Sequence, residues 1–351
     1  MSIMKTGKMV LKVIAAGIVA VTVLSVLLCV YDFLPAHVDN PRKNTDYVWP
    51  ANSVWFKATE GIAYGRFDAN GFNNLVVVEN PDVILLGSSH MEATNVKQKE
   101  STAYILGEKL KGQYSLYNMG VSGHNIYKVC QYLPKNLELF DVVPQIVIIE
   151  TSKVQLLPDR VKDVVFATVE YTKSHDGGVI GKLQKIPFFR ALYHQVEGGL
   201  LDLFLPNDAS TEEQENDSDD VSDFSDEEST AVDEEAYEIL FSYLKNIEEK
   251  YGTQIIIVYH PSETLEKDGS ISFGNIEFAE AFSTYSEKYG ISFVDMTDRF
   301  EKMFYVNHHV PHGFCTGKLA KGHLNKYGHA AIADELFKEI VKLKESKELC
   351  R

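Results

Sequence analysis

The run Val83-Ile84-Leu85-Leu86, stopping abruptly at Gly87-Ser88-Ser89, constrains this chain more than any other stretch of it. A strand that is apolar at consecutive positions has to be buried on both faces, which points to a parallel sheet with helices above and below. The pattern recurs. Residues 115–118, 145–150, 254–259 and 291–295 read as four further strands, while residues 101–110 and 276–288 carry helical spacing. Asn325 is expected to cap a closing helix with Ile332, Leu336, Ile340 and Leu343 along one face. The fold class that follows is α/β: a three-layer α/β/α domain over residues 76–345, around a five-stranded, mainly parallel sheet.

One connection breaks the rhythm. About a hundred residues separate the third and fourth strands, far more than a crossover needs. They hold a helix-compatible stretch, 182–204, and then an acidic tract, 207–236, read as a solvated, disordered insertion. Calcium binding by the tract is the sharper reading, but it lacks the D-x-D-x-D-G loop such a site uses. The tract also accounts for most of the charge. The chain carries a net −16, and residues 208–235 contribute 14 carboxylates with no Lys or Arg, leaving about −2 elsewhere. Without a basic face a nucleic-acid partner is excluded, since phosphate neutralisation needs one.

The amino end sets the compartment. Residues 13–31 contain no charge over 19 positions, enough for one helical crossing of a bilayer. Lys5, Lys8 and Lys12 precede the run, so residues 1–12 are expected in the cytoplasm and everything beyond the anchor outside it. A cleaved signal peptide fits less well, because the run is long for one and no small-x-small site follows Tyr31. Residues 32–75, rich in Pro, Asn, Asp and aromatics, read as an irregular stalk. Cys29, Cys130, Cys315 and Cys350 are scattered, with no C-x-x-C and no zinc spacing, so no metal site or disulfide scaffold is expected.

In an open parallel sheet, ligands gather at the carboxyl ends of the strands. This chain places Gly87-Ser88-Ser89-His90 there, then Asn118 to His124, then Glu150-Thr151-Ser152, then His260-Pro261, and His323 to Asn325 before the closing helix. A serine on a sharp strand-to-helix turn suits a nucleophile, and a histidine within reach could take its proton. Gly123 has no side chain to keep its N–H from a reacting carbonyl. Taken singly, His90, His124, His260 and His329 read as structural polar groups.

In this order the motifs resemble those of the SGNH (GDSL-like) hydrolase superfamily. Gly87-Ser88-Ser89 stands for its G-D-S block with Ser88 in place of Asp. Asn118, Gly120 and Gly123 meet N-x-G-x-x-G, and His323, Asn325 and Gly328 meet H-x-N-x-x-G. The resemblance implies a flavodoxin-like fold with no cofactor, with Ser89 as nucleophile, His323 as base and Gly123 as an oxyanion donor. Gly87, Ser88, Asn118 and Asn325 support them. Phe67 to Phe72 is similar to the N-x-x-G-F lead-in of membrane-linked members that act on surface polysaccharide.

Two positions depart from that pattern. Ala320 stands where the family has the acid three residues before its histidine, and Glu150-Thr151-Ser152-Lys153 replaces the G-x-N-D block. Either Ser89 and His323 work as a dyad, or the orienting acid comes from elsewhere, from Asp295, Asp298 or Glu150. The implied function is a membrane-anchored, extracytoplasmic esterase or O-acyltransferase working on acyl groups, acetyl above all, of a cell-envelope glycan. A transferase would need a separate multi-span protein to deliver the acyl group. The alternative is a catalytically impaired module for glycan binding or envelope assembly, which Ala320 favours.

Overall fold

The computed structural model describes residues 3–58, 60–166, 232–315 and 319–349. The stretch 182–204 and most of the acidic tract lie outside these. Helix α1 (Ile3–Tyr31) is long and apolar enough over Lys8–Leu27 to cross a membrane, with a mean hydropathy of 2.5 and none of that stretch buried in the protein.

The stalk expected at residues 32–75 is instead built structure. Strands β1 (Asp32–Phe33), β2 (Val38–Asp39), β3 (Tyr47–Val48), β4 (Val54–Lys57) and β5 (Ala63–Arg66) form an antiparallel β1-β4-β5 sheet and a β2-β3 pair. Aromatic burial explains the order. Trp49, Trp55, Ala63 and Phe67 make a small core of their own, with Trp49 stacked on Phe67 at 4.8 Å. The Phe67 to Phe72 turn is closed by Asp68, which accepts the Asn70 and Phe72 N–H groups and the Tyr117 hydroxyl. Gly71 sits at φ +84°, and a Cβ there would lie 2.2 Å from the Trp49 carbonyl oxygen.

Chain order then runs β6 (Val83–Leu86), α2 (Ser89–Glu92), α3 (Thr102–Leu110), β7 (Leu116–Asn118), α4 (Ile126–Leu137), β8 (Ile146–Thr151) and α5 (Pro158–Phe166). After the excursion come α6 (Glu234–Tyr251), β9 (Gln254–Tyr259), the hairpin β10 (Glu263–Leu265) and β11 (Ile271–Phe273), α7 (Ile276–Tyr289) and β12 (Ser292–Asp295). Then α8 (Thr297–Asn307), the pair β13 (His312–Gly313) and β14 (Leu319–Leu324), and α9 (Lys326–Leu349) close the described chain. Five strands form one parallel sheet in the order β12-β9-β8-β6-β7.

Alternation along the strands sorts the core into two layers. Ile84, Leu86, Val147, Ile149, Ile255 and Ile257 face α4, α6 and α7. Val83, Leu85, Ile146, Ile148, Ile256 and Val258 face α3, α8 and α9. Fully burying each such side chain is worth about 1.5–3 kcal/mol, which is why the apolar runs fix the sheet. The fold is the expected three-layer α/β/α.

Among its described residues the long connection holds two helices, α5 and α6, which the sequence does not lead one to expect. Asp233 caps α6 by accepting the Ala236 N–H, Glu234 and Glu235 sit in its first turn, and Gly252 ends it at φ +66°. Its end of the acidic tract is thus not disordered. The same carboxylates that suggested solvated chain are favourable at a helix N-terminus.

Candidate active site

Strand order makes the site. With β6 first in sequence, β7 lies on one side of it and β8 on the other, so the loops leaving β6 and β8 diverge at the switch point where ligands bind in such sheets. Ser89 opens α2 at that point. Its Oγ lies 3.0 Å from His323 Nε2, and both Glu60 carboxylate oxygens lie 3.0 Å from His323 Nδ1. With Glu60 ionised, Nδ1 carries the proton and Nε2 is left to accept from the serine hydroxyl. Burial pushes the Glu60 carboxyl upward, but the hydrogen bond and charge of His323 together with the Lys57 charge pull it down, and the net shift is downward.

Glu60 was not among the acids the sequence offered. It lies in the β4–β5 connection, 263 positions from His323, and no motif marks it. Room for it comes from Gly322, at φ +80°, where a Cβ would stand 3.0 Å from Glu60 Oε1. Ala320, also at a left-handed φ of +61°, is buried in the same strand.

None of the three expected acids reaches His323. Asp295 is exposed and accepts from the Thr297 N–H and hydroxyl, and Asp298 lies in the first turn of α8, which follows β12, with two strands between β12 and β6. Both belong to the outer end of the sheet. Glu150 is at the centre but serves the loop that carries Ser88 and Ser89. It accepts the Ser88 N–H at 2.7 Å and the Ser88 hydroxyl at 2.9 Å, and meets His260 Nε2 at 2.6 Å. Gly87 allows this approach, since a Cβ there would fall 2.4 Å from Glu150 Oε2. Ser88, in turn, caps α2 by accepting the His90 N–H.

The second loop is held from α2 as well. Buried Glu92 accepts the Ser122 hydroxyl at 2.6 Å and the Trp49 indole N–H at 2.8 Å, which locks the residue before Gly123 and the lead-in to one carboxylate. Burial pushes the Glu92 carboxyl up, against these bonds. Gly123 adopts φ +75°. Asn118 donates to the Met91 carbonyl and accepts the Gly120 N–H, tying β7 to α2. Gly120 packs so closely that a Cβ would stand 2.5 Å from Glu92 N, where only backbone could yield. Gly120→Ala should therefore cost about 1–3 kcal/mol, read as a lower melting temperature; an unchanged melt would show that this loop has slack.

Asn325 does what its position suggested and more. Its side-chain oxygen accepts the Tyr327 and Gly328 N–H groups, and its amide donates to the Val310 and Gly313 carbonyls, pinning β13 to the start of α9. His329 is fully inside, its Nδ1 on Thr102, with burial and then neighbouring histidines pushing it down to about 3. His124 is buried against Tyr132 and Asp46. His90 and His260 are not separate polar groups. With His312 they form one cluster, His90 half-buried and the other two buried, in which one nitrogen from each ring lies within 4.8 Å of the others.

In fold and in motif order the chain resembles the SGNH hydrolases. No protein-family model matches this sequence, and no curated protein matches it. Among solved structures it is similar to a catalytic mutant of an acetylxylan esterase from Geobacillus stearothermophilus. That match has 12% identity over 75% of this chain and 95% of the other, with a TM-score of 0.40. It is also similar to the acetyl xylan esterase AlAXEase (13% identity, 74% and 98% covered, TM-score 0.36) and to TesA (11%, 73% and 96%, 0.36).

Proposed function

We propose that this chain is a serine acyl-ester hydrolase of the SGNH type, held at the membrane by α1. The observation that carries the reading is the line Ser89 Oγ, His323 Nε2, His323 Nδ1, Glu60 carboxylate, with 3.0 Å at each contact. A serine hydroxyl is a weak nucleophile until a base takes its proton in the transition state. Here Ser89 Oγ attacks the acyl carbonyl while its proton passes to His323 Nε2, and Glu60 stabilises the imidazolium so formed. The Ser89 and Gly123 backbone N–H groups receive the oxyanion. As the tetrahedral intermediate collapses, His323 returns the proton to the departing alkoxide, leaving acyl-Ser89. Water, or a sugar hydroxyl in the transferase form of the reaction, then repeats the sequence and frees the serine.

The substrate class follows from the resemblance and the compartment: an acyl group, acetyl above all, on a cell-envelope polysaccharide. Lys5, Lys8 and Lys12 before the apolar run support an outside domain. The impaired-module alternative loses its motive, because Glu60 supplies at His323 the carboxylate that Ala320 cannot.

A fluorophosphonate that does not cross membranes tests both parts, because it reacts only with an activated serine. The expected result is labelling of Ser89 in intact spheroplasts as well as in lysed cells. Labelling only after lysis would overturn the orientation, and none in either would overturn the serine mechanism.

A further inference from the structure

The cluster beside the serine site has unfilled chemistry. His260 Nε2 faces Glu150 Oε1 at 2.6 Å, and His312 Nδ1 faces Glu263 Oε2 at 2.5 Å. A carboxylate at that distance takes an N–H, so the protons of both neutral rings lie on the outer nitrogens. Both inner nitrogens, His260 Nδ1 and His312 Nε2, then present lone pairs to each other, and they stand 3.3 Å apart. Two facing acceptors repel unless something positive lies between them.

Charge makes the same demand. The side chains of Glu150 and Glu263 are wholly buried. Ionised beside neutral imidazoles they would leave two uncompensated negative charges inside the protein, which is costly. A third ring, His90, borders the same space, 4.5 Å from His260 and 5.6 Å from His312 between ring centroids. Three inward imidazoles, two of them held from behind by carboxylates, are the usual surroundings of a zinc-type ion. Two nitrogens on a tetrahedral zinc, each about 2.0–2.1 Å from it, stand about 3.3–3.4 Å apart.

We propose that His90, His260 and His312 bind one divalent transition-metal ion of the zinc class, buried beside Ser89 and His323. It cancels the charge of Glu150 and Glu263 and ties together α2, the end of β9 and β13. His90 is the weakest of the three ligands, because its Nδ1 already accepts the Leu324 N–H at 3.2 Å and its ring must give up or share that bond. The ion's task is to hold segments. His90 follows the nucleophile directly, Leu324 follows the base, and β13 pairs with the strand that carries His323.

The test uses full-length protein in detergent, purified without a histidine tag or chelator. Elemental analysis should find about one zinc per chain. After stripping, added Co²⁺ should restore one equivalent with the intense visible bands of a tetrahedral site, and Zn²⁺ should raise the melting temperature of the stripped protein. His260→Ala and His312→Ala should abolish Co²⁺ binding, His90→Ala should weaken it less, and Glu263→Gln should weaken it about 10–100-fold. If the histidine variants do not fold, the stripped and reloaded wild type decides. Two results would overturn the proposal. One is a wild type that takes up no Zn²⁺ or Co²⁺ at micromolar concentration with its fold intact, which means that a proton alone fills the gap. The other is Co²⁺ retained undiminished when all three histidines are replaced.

Discussion

Ser89→Ala and His323→Ala are each expected to lower kcat/KM for p-nitrophenyl acetate by about 10³-fold or more, and the double variant is expected to be hardly slower than either single one. Non-additivity is the diagnostic part. In the proposed mechanism the two side chains share one proton transfer through their 3.0 Å contact, so once either is gone the other has nothing to do. What survives is the oxyanion hole, which does not depend on either side chain. Rates in the full-length protein that fall independently for the two variants and multiply in the double variant would sink the shared-proton mechanism. Unchanged rates in both would remove Ser89 from the chemistry altogether.

Glu60→Gln is expected to cost about 10²–10⁴-fold in kcat while leaving the fold in place, since the amide keeps the shape but removes the charge that stabilises the imidazolium. The pH profile separates this from simple damage. Burial raises the Glu60 carboxyl, and His323 and Lys57 together lower it by more, so Glu60 stays ionised into the acid range. The acid limb of the rate profile therefore reports His323. Because a carboxylate favours the charged form of a neighbouring imidazole, removing that charge is expected to move the acid limb to lower pH. Asp295→Asn and Asp298→Asn should leave both rate and limb where they are. If Glu60→Gln behaves like them, Glu60 only packs against the histidine and does not orient it.

Much of the architecture could be read along the chain because its signals are local. The strand at Val83–Leu86 appears where its apolar run stands, and the helix at Thr102–Leu110 begins where Ser101 accepts the Tyr104 N–H. The closing helix starts after Asn325 as its capping side chain requires. The readings that failed are those where composition spoke for structure. Residues 32–75 looked like a stalk because short strands, single aromatics and turn residues have no periodicity; Trp49, Trp55 and Phe67 become a core only when three separated segments meet. Glu234 and Glu235 looked like more of the acidic tract because a carboxylate run reads the same in coil and at a helix start.

Ser89 and His323 are legible as a pair because their loop motifs stand in order at expected strand ends, and the structure brings them within 3.0 Å of each other. The carboxylate on His323 was not legible, nor was the pairing of Glu150 with His260 or the convergence of His260 and His312. These join positions 263, 110 and 52 residues apart. The sequence by itself determined the sheet, its helices and the loops that carry the chemistry, because burying apolar side chains depends on periodicity, which is written locally. The tertiary structure alone decided which carboxylate serves which histidine. A charge–charge or hydrogen-bonded contact is fixed by distance in space, and distance in space across several turns of chain leaves no repeating mark in the sequence.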